Sequence, residues 1–152
     1  MKKVKLASAI ADIPPPTNVI YPASVLKKAV EDYNKNAFKT ISYIGSSGQC
    51  LDDCVGKIEN AKFEDGVVTV DVALFDTERG KTIQSMFDAG FPFFASISGY
   101  VDFYEKNGNR IVKDIKGPDF KLSGASWYGQ QTKVVDSFLD DDQKIVETFS
   151  EE

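Results

Sequence analysis

The chain contains no histidine among its 152 residues, so any proton transfer it performs has to use another group. That limit falls first on its serines. Ser96 and Ser98 lie two apart in the run Ala95-Ser96-Ile97-Ser98-Gly99. A serine hydroxyl is a poor nucleophile until a neighbouring base takes its proton, and imidazole is the usual base. Only a lysine is left for that role, with Lys57, Lys113 and Lys121 the candidates. A Ser–Lys pair works when the lysine is desolvated enough to give up its proton. The plainer reading of Ser96 and Ser98 is two small side chains packing beneath Tyr100. Cys50 is another conceivable nucleophile, but without an imidazole partner its thiolate fraction is small.

Metal chemistry is equally constrained. A closed zinc site needs about four N, S or O ligands, and Cys50 and Cys54 are the only cysteines. They read as two reduced thiols rather than a local disulfide. The acidic pairs and runs, Asp52-Asp53 and Asp140-Asp141-Asp142, lack the spaced carboxylates and the glycine of an EF-hand loop. Gly45-Ser46-Ser47-Gly48 lacks the Gly-Lys-Ser/Thr ending of a P-loop. No metal and no cofactor is expected, and on these residues alone no enzymatic site stands out.

Charge narrows the partners. Eighteen basic against twenty-three acidic residues leave a net charge of −5, whose field repels phosphates and disfavours nucleic acid and anionic lipid. Lys2, Lys3 and Lys5 sit at a terminus, and Lys27 and Lys28 on a helix face, so no basic cluster offsets it. No apolar run approaches the ~20 residues of a membrane span. Residues 1–13 lack the continuous apolar stretch of a secretory signal.

The elements that must position these groups follow from periodicity. Residues 3–10 alternate weakly, which predicts a strand, and Pro14-Pro15-Pro16 forces an extended linker. Pro22 opens a helix over about 23–35, with Val25, Leu26, Ala29, Val30 and Tyr33 on one face. Residues 39–44 read as a short strand and 45–49 as a loop. Residues 55–63 and 67–75 form a hairpin around Asp65-Gly66, a pair that tolerates positive φ. Its second strand is apolar enough to be buried on much of both faces. Asp76 is the expected N-cap of a helix over 77–89, with Ile83, Met86 and Phe87 as its apolar stripe and Gly90 ending it. A long strand over 92–104 turns at Asn107-Gly108 into a partner at 110–115. A further strand is expected over 119–128 with a bulge at Gly124, and a short helix over 140–149. The expected class is α+β, a mostly antiparallel sheet or small barrel with two to three helices. One domain spans 1–152, divided into an extended arm over 1–17, a core over 18–130 and an acidic tail or helix over 131–152.

Taken together, these segments resemble one family. Asn18-Val19-Ile20-Tyr21-Pro22 with the run Val25 to Tyr33 is similar to the N-terminal helix region of the prohead (capsid-maturation) proteases of tailed bacteriophages, which share a fold with the herpesvirus assemblins. Ile44-Gly45 resembles the Leu-Gly preceding the family's catalytic histidine. Lys57-Ile58-Glu59-Asn60 with Gly66 through Leu74 resembles its central hairpin, and Asp76-Thr77 through Ala89-Gly90 its second helix. Ala95 to Gly99 resembles its Val-Ser-Ser-x-Gly nucleophile strand. The resemblance covers about residues 18–129 and places Ser96 at the nucleophile position. The histidine position falls near Gln49, and an amide is no base near neutral pH. The family's late acidic residue has no clear match around Ser123-Gly124-Ala125-Ser126.

The resemblance therefore implies a retained scaffold with a lost catalytic apparatus, Ser96 being vestigial. The expected role is a multi-copy virion protein, an auxiliary or decoration protein contacting the major capsid protein or other virion proteins. It would lie in the virion, and in the host cytoplasm during assembly. An active maturation serine protease using Ser96, and a head–tail connector or tail-tube-like component, are the alternatives. Phe91, Phe93, Phe94, Tyr100, Trp127 and Tyr128 are the aromatics to inspect first as contact residues.

Overall fold

The computed structural model describes residues 2–13, 18–36, 39–43, 53–91 and 93–124, with the backbone of strands at 132–135, 137–140, 143–144 and 148–151. Strand β1 (Lys2–Ile10) buries Val4 and Leu6 completely. The short β2 (Val19–Ile20) leads into helix α1 (Ala23–Asn34), which Pro22 begins in extended conformation without a side-chain cap. Leu26, Ala29, Val30 and Tyr33 are buried along one face of α1, and Lys27, Lys28 and Glu31 are exposed. Strand β3 (Thr40–Tyr43) follows, then β4 (Cys54–Glu64) and β5 (Val67–Leu74). The β4–β5 turn has φ of 53° at Asp65 and 78° at Gly66, the two positive values that a two-residue hairpin turn demands. On β5, Val68, Val70, Val72 and Leu74 are fully buried, while Val67, Thr69 and Asp71 on the other face are only partly so.

Helix α2 (Glu78–Asp88) is capped by Thr77, not by the expected Asp76: the Gly80 amide donates to Thr77 Oγ1 at 3.2 Å. Asp76 instead accepts from Gln84 Nε2 at 3.3 Å. Phe87 is its buried anchor, with Ile83 and Met86 partly covered, and Gly90 leaves the helix at φ 86°. Strands β6 (Phe94–Lys106) and β7 (Asn109–Ser123) then form one long hairpin. The two strands expected at 110–115 and 119–128 are thus a single strand ending at Ser123. The expected bulge at Gly124 lies elsewhere. The register slips between Ser98 and Tyr100 and again between Asp102 and Phe103, each time with the extra residue on β7. Gly99 makes the first slip possible: a side chain there would place Cβ 2.8 Å from the Lys116 carbonyl oxygen.

The expectation of a mostly antiparallel sheet is corrected: the sheet is a curled, mixed half-barrel. Strand β6 takes one edge of β7. The other edge holds β2 at Arg110–Ile111 and β3 at Lys121–Leu122, both parallel to β7. Helix α1 carries the chain from β2 to β3, so the two short strands run the same way along one edge. Such a crossover places parallel strands that no hairpin could join. From β3 the sheet continues through β4, β5 and β1 in antiparallel order.

The strand expected over residues 3–10 is β1, which lies between β5 and β9 (Ser137–Asp140). The described residues of 140–149, where a helix was expected, lie in strands. Strand β9 pairs with β10 (Gln143–Lys144), while β8 (Thr132–Val135) pairs with β11 (Thr148–Glu151) in a separate two-stranded sheet. Ile145, Val146 and Phe149 satisfy a short helical stripe, but so short a pattern does not exclude strands.

The main core lies between α1, α2 and the sheet. Tyr33 and Phe120 meet edge to face, their ring centroids 4.8 Å apart. A smaller cluster of Ala29, Val112 and Ile115 fastens α1 to the middle of β7.

Candidate functional site

The register of four strands builds the site. On β6, Ser96 lies directly opposite Lys121 of β7; Lys121 is also paired with Ser42 of β3, and Ser42 with Cys54 of β4. Directly paired residues share a face, with Cβ atoms about 4.5–5.5 Å apart in antiparallel ladders. Ser96, Lys121, Ser42 and Cys54 therefore form one polar row across the sheet. Ser96 and Ser42 are buried, at 6% and 7% exposure. Ser42 Oγ and Cys54 Sγ are 3.6 Å apart, and Cys54 is a free, partly exposed thiol.

Of the three lysines the sequence offers to Ser96, the fold therefore selects one. Lys57 is exposed on β4, paired with Ala73 and Thr40. Lys113 sits far along the hairpin, 6.0 Å from the Tyr104 ring centroid. Lys121 alone faces Ser96. Ser98 lies one step along the same face, opposite Asp119, and is exposed. Ser42 joins the row without any signal in the sequence, since a serine in Ile41-Ser42-Tyr43 looks like any small residue of a short strand.

Beside the row, a cleft of about 380 Å³ is lined by Tyr33, Asn36, Thr40, Ser42, Asp119 and Lys121, with Gly117 and Pro118. The buried Tyr33 hydroxyl makes no hydrogen bond among the described residues. Burial, and next the Asp119 carboxylate, raise its pKa well above the ordinary phenol value. Tyr43, the next residue of β3 and so on the other face of the sheet, donates from Oη to Asp53 Oδ1 at 3.2 Å, and the Arg79 guanidinium lies 5.4 Å from its ring centroid. Tyr43, Val55, Glu78, Arg79, Thr82 and Ile83 line a second cleft of about 440 Å³ there.

Gly45 to Gly48, Gln49, Cys50 and Asp52 fall outside the described residues, as do Ser126, Trp127, Tyr128, Asp141 and Asp142. The position expected for a lost histidine is thus named by sequence alone. Among the described residues no group of three or more His, Cys, Asp or Glu side chains is arranged to hold a metal ion. No helix among them is long and apolar enough to cross a membrane. Among the proposed contact aromatics, Phe93 is buried while Phe91 and Tyr100 are exposed.

In chemical terms the row offers a buried hydroxyl with an amine directly across from it. Without imidazole, that amine is the candidate base the register supplies, and it serves only when neutral.

No protein-family model matches the chain, and no curated protein does. Among solved structures, the chain resembles the capsid assembly protease of bacteriophage T4, with a TM-score of 0.62 at 18% identity, over 78% of this chain and 77% of that one. At that identity the likeness is one of fold.

Proposed function

We propose that the protein is a non-catalytic component of phage capsid assembly, an auxiliary or decoration protein that binds the capsid through a protease-like scaffold. The observation that carries this reading is the pairing of two facts. The chain shares its fold with a capsid assembly protease, and it has no imidazole anywhere to activate a serine. The burial of Ser96 adds support, since a nucleophile has to be reached by its substrate. Partners on this reading are capsid or scaffold proteins, met in the host cytoplasm during assembly. The test is mass spectrometry of purified virions. Many copies per particle are expected; absence from mature particles overturns the role, and a copy number matching the portal or tail tube transfers it to the connector reading.

A second reading is favoured by one observation, the opposition of Ser96 and Lys121. In it, neutral Lys121 takes the Ser96 proton as the hydroxyl attacks a peptide carbonyl, then returns it to the departing amine; water hydrolyses the acyl-enzyme. Incubation with the capsid precursor separates the two. Cleavage by the native chain that is lost in both Ser96→Ala and Lys121→Met establishes the second reading. No cleavage by the native chain leaves the first.

A further inference from the structure

The distal part of the β6–β7 hairpin carries no buried residue. None of residues 98–110 is buried, and Tyr100, Phe103 and Tyr104 are 84%, 47% and 44% exposed. Among the described residues β6 pairs with β7 alone, and no strand pairs with its outer edge over residues 100–106. Sheet edges are usually blunted by proline, by a bulge, by a covering element or by charged side chains that repel a like-charged strand. Here both extra residues of the bulges fall on β7, and residues 94–106 contain no proline. The edge is open to another strand.

Its side chains indicate which strand. Asp102, Tyr104 and Lys106 lie two apart and share one face. Read in reverse, the series acid, phenol, ammonium complements itself. If two copies meet antiparallel about a two-fold axis at Tyr104, each Asp102 faces the other copy's Lys106 and the two Tyr104 rings meet. On the other face Phe103 lies against the other copy's Glu105. Other symmetric registers lose this match: centring on Asp102, Glu105 or Lys106 sets like charges together, and centring on Phe103 leaves no ion pair. Register is set by such a pattern, and a two-fold interface requires a self-complementary surface.

We propose that the outer edge of β6 is a dimer interface, on which residues 100–108 of a second copy add as an antiparallel strand with the two-fold axis at Tyr104. The inference rests on the hairpin and its charges, independently of any capsid role. Asp102, Phe103, Tyr104, Glu105 and Lys106 are all exposed, so substitutions there leave the core intact. Sedimentation equilibrium over a concentration series tests it. The native chain is expected to dimerise. Asp102→Lys and Lys106→Asp should each weaken the dimer about tenfold or more by opposing like charges, and the double exchange Asp102→Lys with Lys106→Asp should restore it. In a background of Cys50→Ser and Cys54→Ser, Tyr104→Cys should form a disulfide-linked dimer on oxidation and Tyr100→Cys should not. A native chain that stays monomeric, including one that binds only a strand of another protein, overturns the proposal. So does a double exchange that fails to recover the dimer.

Discussion

Tyr33 illustrates how much a single residue settles and at what cost. Its ring is 2% exposed and stacks edge-on against Phe120, but its hydroxyl has no hydrogen-bond partner among the described residues. A buried hydroxyl without a partner costs stability, whereas the ring contributes it. Tyr33→Phe is therefore expected to be neutral or stabilising by up to about 1 kcal/mol, and Tyr33→Ala to cost about 3–5 kcal/mol; urea denaturation of both variants checks this. The phenol pKa is raised in the fold. The unfolded chain thus loses its phenolic proton first as pH rises, and stability falls above the unfolded phenol value. Tyr33→Phe should flatten that alkaline decline.

The exposed pair Lys28–Asp114, 3.0 Å apart, works in the opposite direction. The hydrogen bond from Lys28, ahead of its charge, lowers the Asp114 pKa. Its contribution is present above the unfolded carboxyl pKa and is lost as pH falls through the lower folded value. Because both groups are exposed the effect is small, and Asp114→Asn should remove a slight acid sensitivity from thermal melts. Ser96 and Lys121 belong to this scale too. The sequence offers each as one candidate among several, and their opposition across β6 and β7 makes a pair of them.

At the level of elements, close backbone approaches decide which residues are tolerated. Gly80, in the first turn of α2, would place a Cβ 2.0 Å from the Phe75 carbonyl oxygen. Alanine gains about 1 kcal/mol of helix propensity, yet the clash forces the whole first turn away from β5, at about 3 kcal/mol. Gly80→Ala should thus destabilise by about 2 kcal/mol net, seen as a Tm lowered by roughly 4–8 °C. Gly99 holds the first slip of the β6–β7 hairpin at φ 149°. Gly99→Ala should strain it and shift the amide signals of residues 98–101 and 115–119, with the α1 side of the core unaltered.

At the level of the whole molecule, α1 fastens the half-barrel by spanning from β2 to β3 along β7. Leu26 of α1 is fully buried in the main core, and Leu26→Ala is expected to cost about 3 kcal/mol and to loosen the parallel joins; loss of hydrogen-exchange protection at Ser42 and Tyr43 would report it. An unchanged protection pattern would mean the joins hold without the helix. The same architecture leaves only the tip of the β6–β7 hairpin, residues 98–110, without a buried residue.

The sequence by itself determined what lies within a few residues. The missing histidine, the turns at Asp65-Gly66 and Asn107-Gly108, and the buried stripe of α1 are local consequences of side-chain chemistry, steric freedom at positive φ and a period of 3.6. The resemblance to prohead proteases anticipated a fold that the T4 structure shares. Tertiary structure alone decided which strands become neighbours. The parallel placement of β2 and β3 on β7, and β1 between β5 and β9, are pairings between distant segments. A short apolar pattern does not name its partner, because register is chosen by the whole sheet. For the same reason the histidine-free chain offered Ser96 three lysines, and only the ladder set Lys121 across from it.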